Sequence, residues 1–269
     1  TLLIVGVAIT ISWILCGIFF QAPDKSLVNA GGSAEKSGTP EMKQYTSGEM
    51  MRTKNFYLLL ATMFFGLISY FMVSPVSQPY QIDLGIPSAV AVSAVMLGSI
   101  VNAGARLVLP TLADKVGRIV CIKGVLIVAV IAMGVLAVSR SLAVTVAVVL
   151  MYGCYGGIMG SFPSLTSSIF GMKHTGENYG FVMFGIVFAT FGAPAISGLV
   201  SSNGYEMNVV FGIGAVFAVI AFVCLTLLGR NLVKEHAEKS VGAKKGTAQV
   251  RKPQAESVSY THLRAHETD

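Results

Sequence analysis

The chain has 269 residues, of which 54% are hydrophobic and only 12% charged, with a mean hydropathy of +0.70. Soluble globular chains carry about a quarter charged residues, so there is too little polar surface to cover a core of this size, and lipid is the solvent that fits. The formal net charge of +6 does not point to nucleic acid, because the basic residues lie in the connections and tail between apolar runs, the pattern of a membrane orientation signal.

Roughly 20 apolar residues cross a bilayer as a helix, and runs of that size recur along the chain. The first is Leu2 to Ala22. The second is Asn55 to Ile82, and the third is Leu84 to Ala105, continuing past Arg106 to about Ala113. A fourth runs from near Ile119 to Ser139 with Lys123 snorkelling at its start. Ser141 to Met172, Asn178 to Tyr205 and Met207 to Gly229 complete seven predicted helices. The predicted organisation is therefore a single helix in 1–22, a polar linker in 23–54, a six-helix transmembrane bundle in 55–229 and a polar tail in 230–256. The linker contains GGSAEKSGTP and is too polar to pack a core. The terminal VSYTHLRAHET resembles a translated sequencing adaptor, so 257–269 is set aside as non-native.

The connections predict orientation. Lys25, Lys36, Lys43, Arg52 and Lys54 precede the second run; Lys115, Arg118 and Lys123 surround the third connection; Lys173 follows the fifth run. Arg230, Lys234, Lys239, Lys244, Lys245, Arg251 and Lys252 occupy the tail. The intervening connections hold only Arg140. Cation-rich loops face the cytoplasm, so the tail is expected inside and Thr1 outside, in a multi-pass protein of the cell membrane.

Cys16, Cys121, Cys154 and Cys224 all fall in or beside apolar runs and are expected as small buried hydrophobes, not as a disulfide framework or metal site. No metal-ligand cluster, nucleophile constellation or phosphate loop is present, so no cofactor and no enzyme chemistry is expected. A retinal-type bundle needs a Schiff-base lysine in its last helix, and Met207 to Gly229 has none. A non-transporting seven-helix receptor or membrane subunit stays the rival from another class.

The sequence ADKVGR, Ala113 to Arg118, closes the third run with a knot of charge. Its aspartate is expected to accept from backbone N–H groups at the start of the next helix. Asp114, Lys115, Gly117 and Arg118 match the loop motif of the major facilitator superfamily, with Pro110 where that motif usually has its first glycine. Within the superfamily the sequence resembles the oxalate/formate antiporter family, on NAGAR (Asn102 to Arg106), YGGIMGSFPSLTSSIFG (Tyr155 to Gly171), ENYGFVMFG (Glu177 to Gly185) and RTKNFYLLL (Arg52 to Leu60). The resemblance implies an all-α membrane protein with the major facilitator fold, read as helices six to twelve of twelve, with the partner half lying N-terminal to this sequence. It also implies secondary active transport of a small organic anion.

Arg106 lies eight residues before Asp114, about 12 Å along the helix at 1.5 Å per residue. An arginine that deep is costly and normally faces a cavity or a partner. Ser99, Asn102 and Arg106 share one helix face, and the other apolar runs offer no acid to neutralise the guanidinium. A planar guanidinium with free donors suits a carboxylate, and the resemblance implies the same role for this arginine. Arg106, Asn102 and Tyr155 are the expected substrate contacts, Tyr155 by way of its phenol. Pairing of Arg106 with an acid outside this sequence is the structural alternative. In the family's oxalate transporter a lysine in the eleventh helix faces the arginine; the matching position here is Ile186. One cation in place of two favours a monocarboxylate of the formate, lactate or pyruvate type, exchanged for another anion. Proton-coupled monocarboxylate symport and oxalate:formate antiport are the alternatives. Gly153, Gly156, Gly157 and Gly160 are expected to serve helix packing.

Overall fold

The computed structural model describes residues 2–19 and 43–250, all of whose regular elements are helices. The adaptor-like segment and residues 20–42 of the linker lie outside the described residues. The chain forms two compact units, residues 1–42 and 43–269.

The first unit contains α1 (Leu2–Phe19). It has no acidic residue in its first turn and no basic residue in its last. Its hydroxyls turn back on its own backbone, with Thr10 donating to the Gly6 carbonyl at 2.9 Å and Ser12 to the Ala8 carbonyl at 2.9 Å. That pattern satisfies its hydroxyls internally, as an apolar environment would require. Cys16, expected buried, is exposed on this helix.

The second unit opens with α2 (Ser47–Met51) and continues with α3 (Lys54–Val73), a 3-10 turn at Ser74–Val76, and α4 (Ser77–Asp83). Next come α5 (Ser88–Val116), α6 (Arg118–Val138) and α7 (Ala143–Phe170). The unit ends with α8 (Thr175–Val182), α9 (Phe184–Ser202) and α10 (Met207–Val250). Counting α3–α4 and α8–α9 as single rods, six helices are long and apolar enough to cross a membrane. The protein is an all-α, multi-pass membrane protein.

The helix ends follow local chemistry. Thr53 caps α3, its hydroxyl accepting from the Phe56 N–H at 3.3 Å. Gly117 joins α5 to α6 at φ 105 and Gly171 ends α7 at φ 90, a region that side chains with a Cβ rarely adopt. The third rod starts at Ser88, later than the expected Leu84. The intervening Gly85 has φ 81, and Pro87 keeps the residue before it out of the helical region.

The core is a layer of Leu59, Met63 and Leu67 from α3 against Leu126 of α6, Phe162 of α7 and Leu225 of α10, all buried. Rods differ sharply in how much they give to it. In α3–α4, 61% of the most apolar stretch is buried, against 11% in α5 and 22% in α8–α9. The apolar outer faces of α5 and α9 therefore call for lipid or further protein.

Two expectations change. The end of the linker is not a free polar segment, because residues 43–54 fold onto the bundle. Tyr45 donates its N–H to the Phe170 carbonyl at 2.9 Å, Asn178 donates to the Tyr45 carbonyl at 3.0 Å, and Met50 is fully buried. The apolar Tyr45 and Met50 supply the packing that the preceding Gly/Ser/Lys stretch lacks. The tail likewise begins as helix, since α10 continues to Val250 through Ala, Glu and Lys, which are good helix formers. Glu235 accepts from Asn55 at 2.9 Å.

The docked strap makes a pH prediction. Glu49 closes a capping box on Thr46 and lies 3.6 Å from Lys43. The Thr46 N–H, then Lys43, then the Thr46 hydroxyl hold its carboxyl below the usual carboxylate value. A depressed folded pKa stabilises above the unfolded value and is lost as pH falls through the folded one. The protection factor of the Thr46 amide, its exchange rate relative to an unstructured chain at the same pH, should therefore hold at neutral pH and fall on strong acidification; in Glu49→Ala it should be low throughout.

Candidate functional site

Arg106 reaches its position through the contact between α5 and α7. Along α7, Gly153, Gly156, Gly157 and Gly160 face α5. A Cβ at Gly153 would lie 2.9 Å from Val101, and one at Gly160 would lie 2.9 Å from the Arg106 carbonyl and 3.1 Å from the Pro110 ring. At Gly156 it would overlap the Asn102 backbone carbonyl and come within 2.6 Å of the Asn102 side-chain oxygen. Bare backbone on α7 thus admits both the main chain of α5 and the side chain of Asn102.

From that seat Asn102 Oδ1 accepts from Arg106 Nε at 3.3 Å. The two terminal guanidinium nitrogens, the pair that forks onto a carboxylate, have no partner among the described residues. Nor does Arg106 form an ion pair with any acid there. Its guanidinium carbon lies 5.4 Å from the centroid of the half-buried Tyr155 ring, within cation–π range. Tyr155 stacks on Tyr70 of α3 at 4.2 Å with the planes 13° apart. Tyr70 meets Tyr152 edge-on at 5.3 Å. Tyr70 and Tyr179 of α8 both lie in the electrostatic field of Arg106. One cation without an acidic partner among the described residues thus stands beside stacked phenols of α7 and α3.

Of the expected contacts, Arg106, Asn102 and Tyr155 are brought together. Ser99 shares their face, but its hydroxyl is spent on the Val95 carbonyl at 2.9 Å. Tyr70 and Tyr179 were not singled out from sequence. The visible signal for Tyr70 is the SYFMVSP stretch, where a tyrosine sits one turn before a proline break; for Tyr179 none stands out beyond its place in the ENYGF motif. Ile186 is half-buried and packs against the core.

The charge knot holds a helix joint. Asp114, in the last turn of α5, accepts from Arg118, at the start of α6, through Nη2 at 3.1 Å and Nε at 3.3 Å. The expected acceptance from backbone N–H groups is replaced by this side-chain pair. The reason is register: α6 begins at Arg118 itself, which puts its guanidinium one turn from Asp114. Lys115 is exposed and has no ion-pair partner among the described residues. Pro110 does not end the helix; α5 runs through it to Val116. Of the other acids in the rods, Glu177 meets Ser47 at 3.2 Å and Glu235 accepts from Asn55, while Asp83 is the last residue of α4.

A family model described as Major Facilitator Superfamily matches residues 1–190. The oxalate:formate antiporter of Oxalobacter formigenes is 27% identical over 189 residues, covering 69% of this chain and 45% of that protein. An uncharacterized MFS-type transporter of Escherichia coli (strain K12) is 30% identical over 168 residues, covering 61% of this chain and 40% of that protein. The chain spans less than half the length of these curated relatives.

The seat of Asn102 is open to a direct check. Gly156→Ala should destabilise the purified protein by about 1–3 kcal/mol through overpacking, read as a lower Tm in detergent. Gly104→Ala, where a Cβ meets open space, should leave Tm unchanged or raise it.

Proposed function

Since the chain belongs to the Major Facilitator Superfamily, a family of transporters and not of enzymes, we propose that the complete protein exchanges small monocarboxylates across the cell membrane. The substrate is a singly charged anion of the formate, lactate or pyruvate class, and Arg106 is its receptor. The supporting observation is the guanidinium itself, set about 12 Å along a membrane helix with its fork free and no acid beside it among the described residues.

Holding a cation at that depth costs about 2.5–3.5 kcal/mol on insertion scales. A carboxylate arriving there removes the net charge and supplies two charge-assisted hydrogen bonds. Asn102 fixes the plane of the guanidinium, and Tyr155 with Tyr70 packs its face. Alternating access requires two halves moving about a central site, so transport is assigned to the whole protein and not to this bundle alone. The positive-inside pattern places the charge-knot end and the start of the tail in the cytoplasm, and a bacterial inner membrane suits the relatives' sources.

Oxalate:formate exchange is the second reading, favoured by the name of one relative. A dianion is best held between two cations, and Arg106 is the single cation of the described cluster, with an isoleucine at position 186.

Liposomes carrying the complete protein and loaded with formate should take up labelled formate, lactate or pyruvate. Arg106→Gln should abolish uptake while folding is retained; equal uptake by that variant would reduce Arg106 to a structural residue. Ile186→Lys should raise oxalate uptake relative to formate, whereas strong oxalate exchange by the unaltered protein would overturn the monocarboxylate assignment.

A further inference from the structure

A second concavity lies away from the arginine, in the cleft where α5 and α6 diverge over α7. It is an open groove of about 480 Å³. Val101, Ala105 and Leu109 line it from α5, Val120 and Val128 from α6, and Gly153 forms part of its floor on α7. It continues along α5 to Val116. Fifteen residues at 1.5 Å each give about 22 Å, enough to cross one leaflet of a hydrocarbon core about 30 Å thick. One end of the groove lies in the apolar middle of the rods and the other opens at the α5–α6 joint. That joint carries Lys115, exposed and without an ion-pair partner among the described residues, beside the Asp114–Arg118 pair.

We propose that this groove binds one acyl chain of an anionic phospholipid from the leaflet at the charge-knot end, with the headgroup phosphate on Lys115. Two independent features select this occupant. The groove wall is almost wholly apolar side chain and its floor is opened by small residues, which suits a flexible hydrocarbon chain. Lys115, the neighbour in sequence of Val116 of the groove wall, complements a phosphate and is placed at headgroup level by the end of the helix. A neutral lipid satisfies the first feature only. A helix of the same protein lying in the groove would leave Lys115 unneutralised.

The test uses the complete protein in vesicles of phosphatidylcholine with a minor fraction of phosphatidylglycerol bearing a photoactivatable acyl chain. After illumination, labelled peptides are mapped by mass spectrometry. Label is expected to concentrate on Val101–Val116 and Val120–Val128, and to be displaced by unlabelled phosphatidylglycerol in preference to phosphatidylcholine. Ala105→Phe and Gly124→Leu, which fill the groove, should remove the concentrated label without altering label on exposed apolar positions such as Leu199. Lys115→Gln should lower the preference for phosphatidylglycerol about fivefold, the weight of one cation near an anionic surface. Even labelling of all exposed apolar faces would overturn the proposal. So would protection of the groove peptides, which would mean that protein fills the groove, or equal displacement by both lipids.

Discussion

The backbone contact between α5 and α7 is the constraint on which the rest depends. Four glycines on α7 let the two helices meet without intervening side chains, and the residues they meet on α5 include Asn102 and Arg106 themselves. Without that approach the guanidinium would not lie over Tyr155, and Asn102 would have no recess from which to hold it. Gly153 of the same run also forms part of the floor of the apolar groove. A single run of small residues thus sets both the polar and the apolar concavity.

The polar one is built on an imbalance. Arg106 is exposed on the bundle, and the described residues give it an amide and an aromatic face, not a carboxylate. Both are weak neutral partners. They orient the cation while leaving its charge unmatched among the described residues. The other ionic contacts of the bundle sit at its ends, as between Arg140 and Glu206 at 2.6 Å, where water screens them and each contributes little.

Most of the helical frame was legible because membrane helices announce themselves by uninterrupted apolarity. Ends were less so: the start of α5 was masked because Leu84 and Ile86 are as apolar as the helix they precede, and only Gly85 and Pro87 mark the turn. The helical start of the tail is not visible in hydropathy, which records polarity, whereas α10 persists on helix propensity and the contact of Glu235 with Asn55. Arg106 and Asn102 stood out because polarity in an apolar run is conspicuous. Tyr70 and Tyr179 did not, since a tyrosine is ordinary at any depth and its membership of the site depends on how helices distant in sequence are arranged. The docking of Tyr45 and Met50 was hidden for the same reason, being decided by a surface that α7 and α8 provide.

Pro110 adds one further feature to this arrangement. Having no N–H, it leaves the Arg106 carbonyl without its helical donor, one turn from the guanidinium and one turn from the charge knot. That missing rung falls where α5 meets bare backbone on α7, since a Cβ at Gly160 would meet both the Arg106 carbonyl and the Pro110 ring. The unpaired carbonyl is therefore covered by a neighbouring helix and not by lipid, and the gap in the ladder sits inside the protein, where a chain in hydrocarbon can best tolerate it.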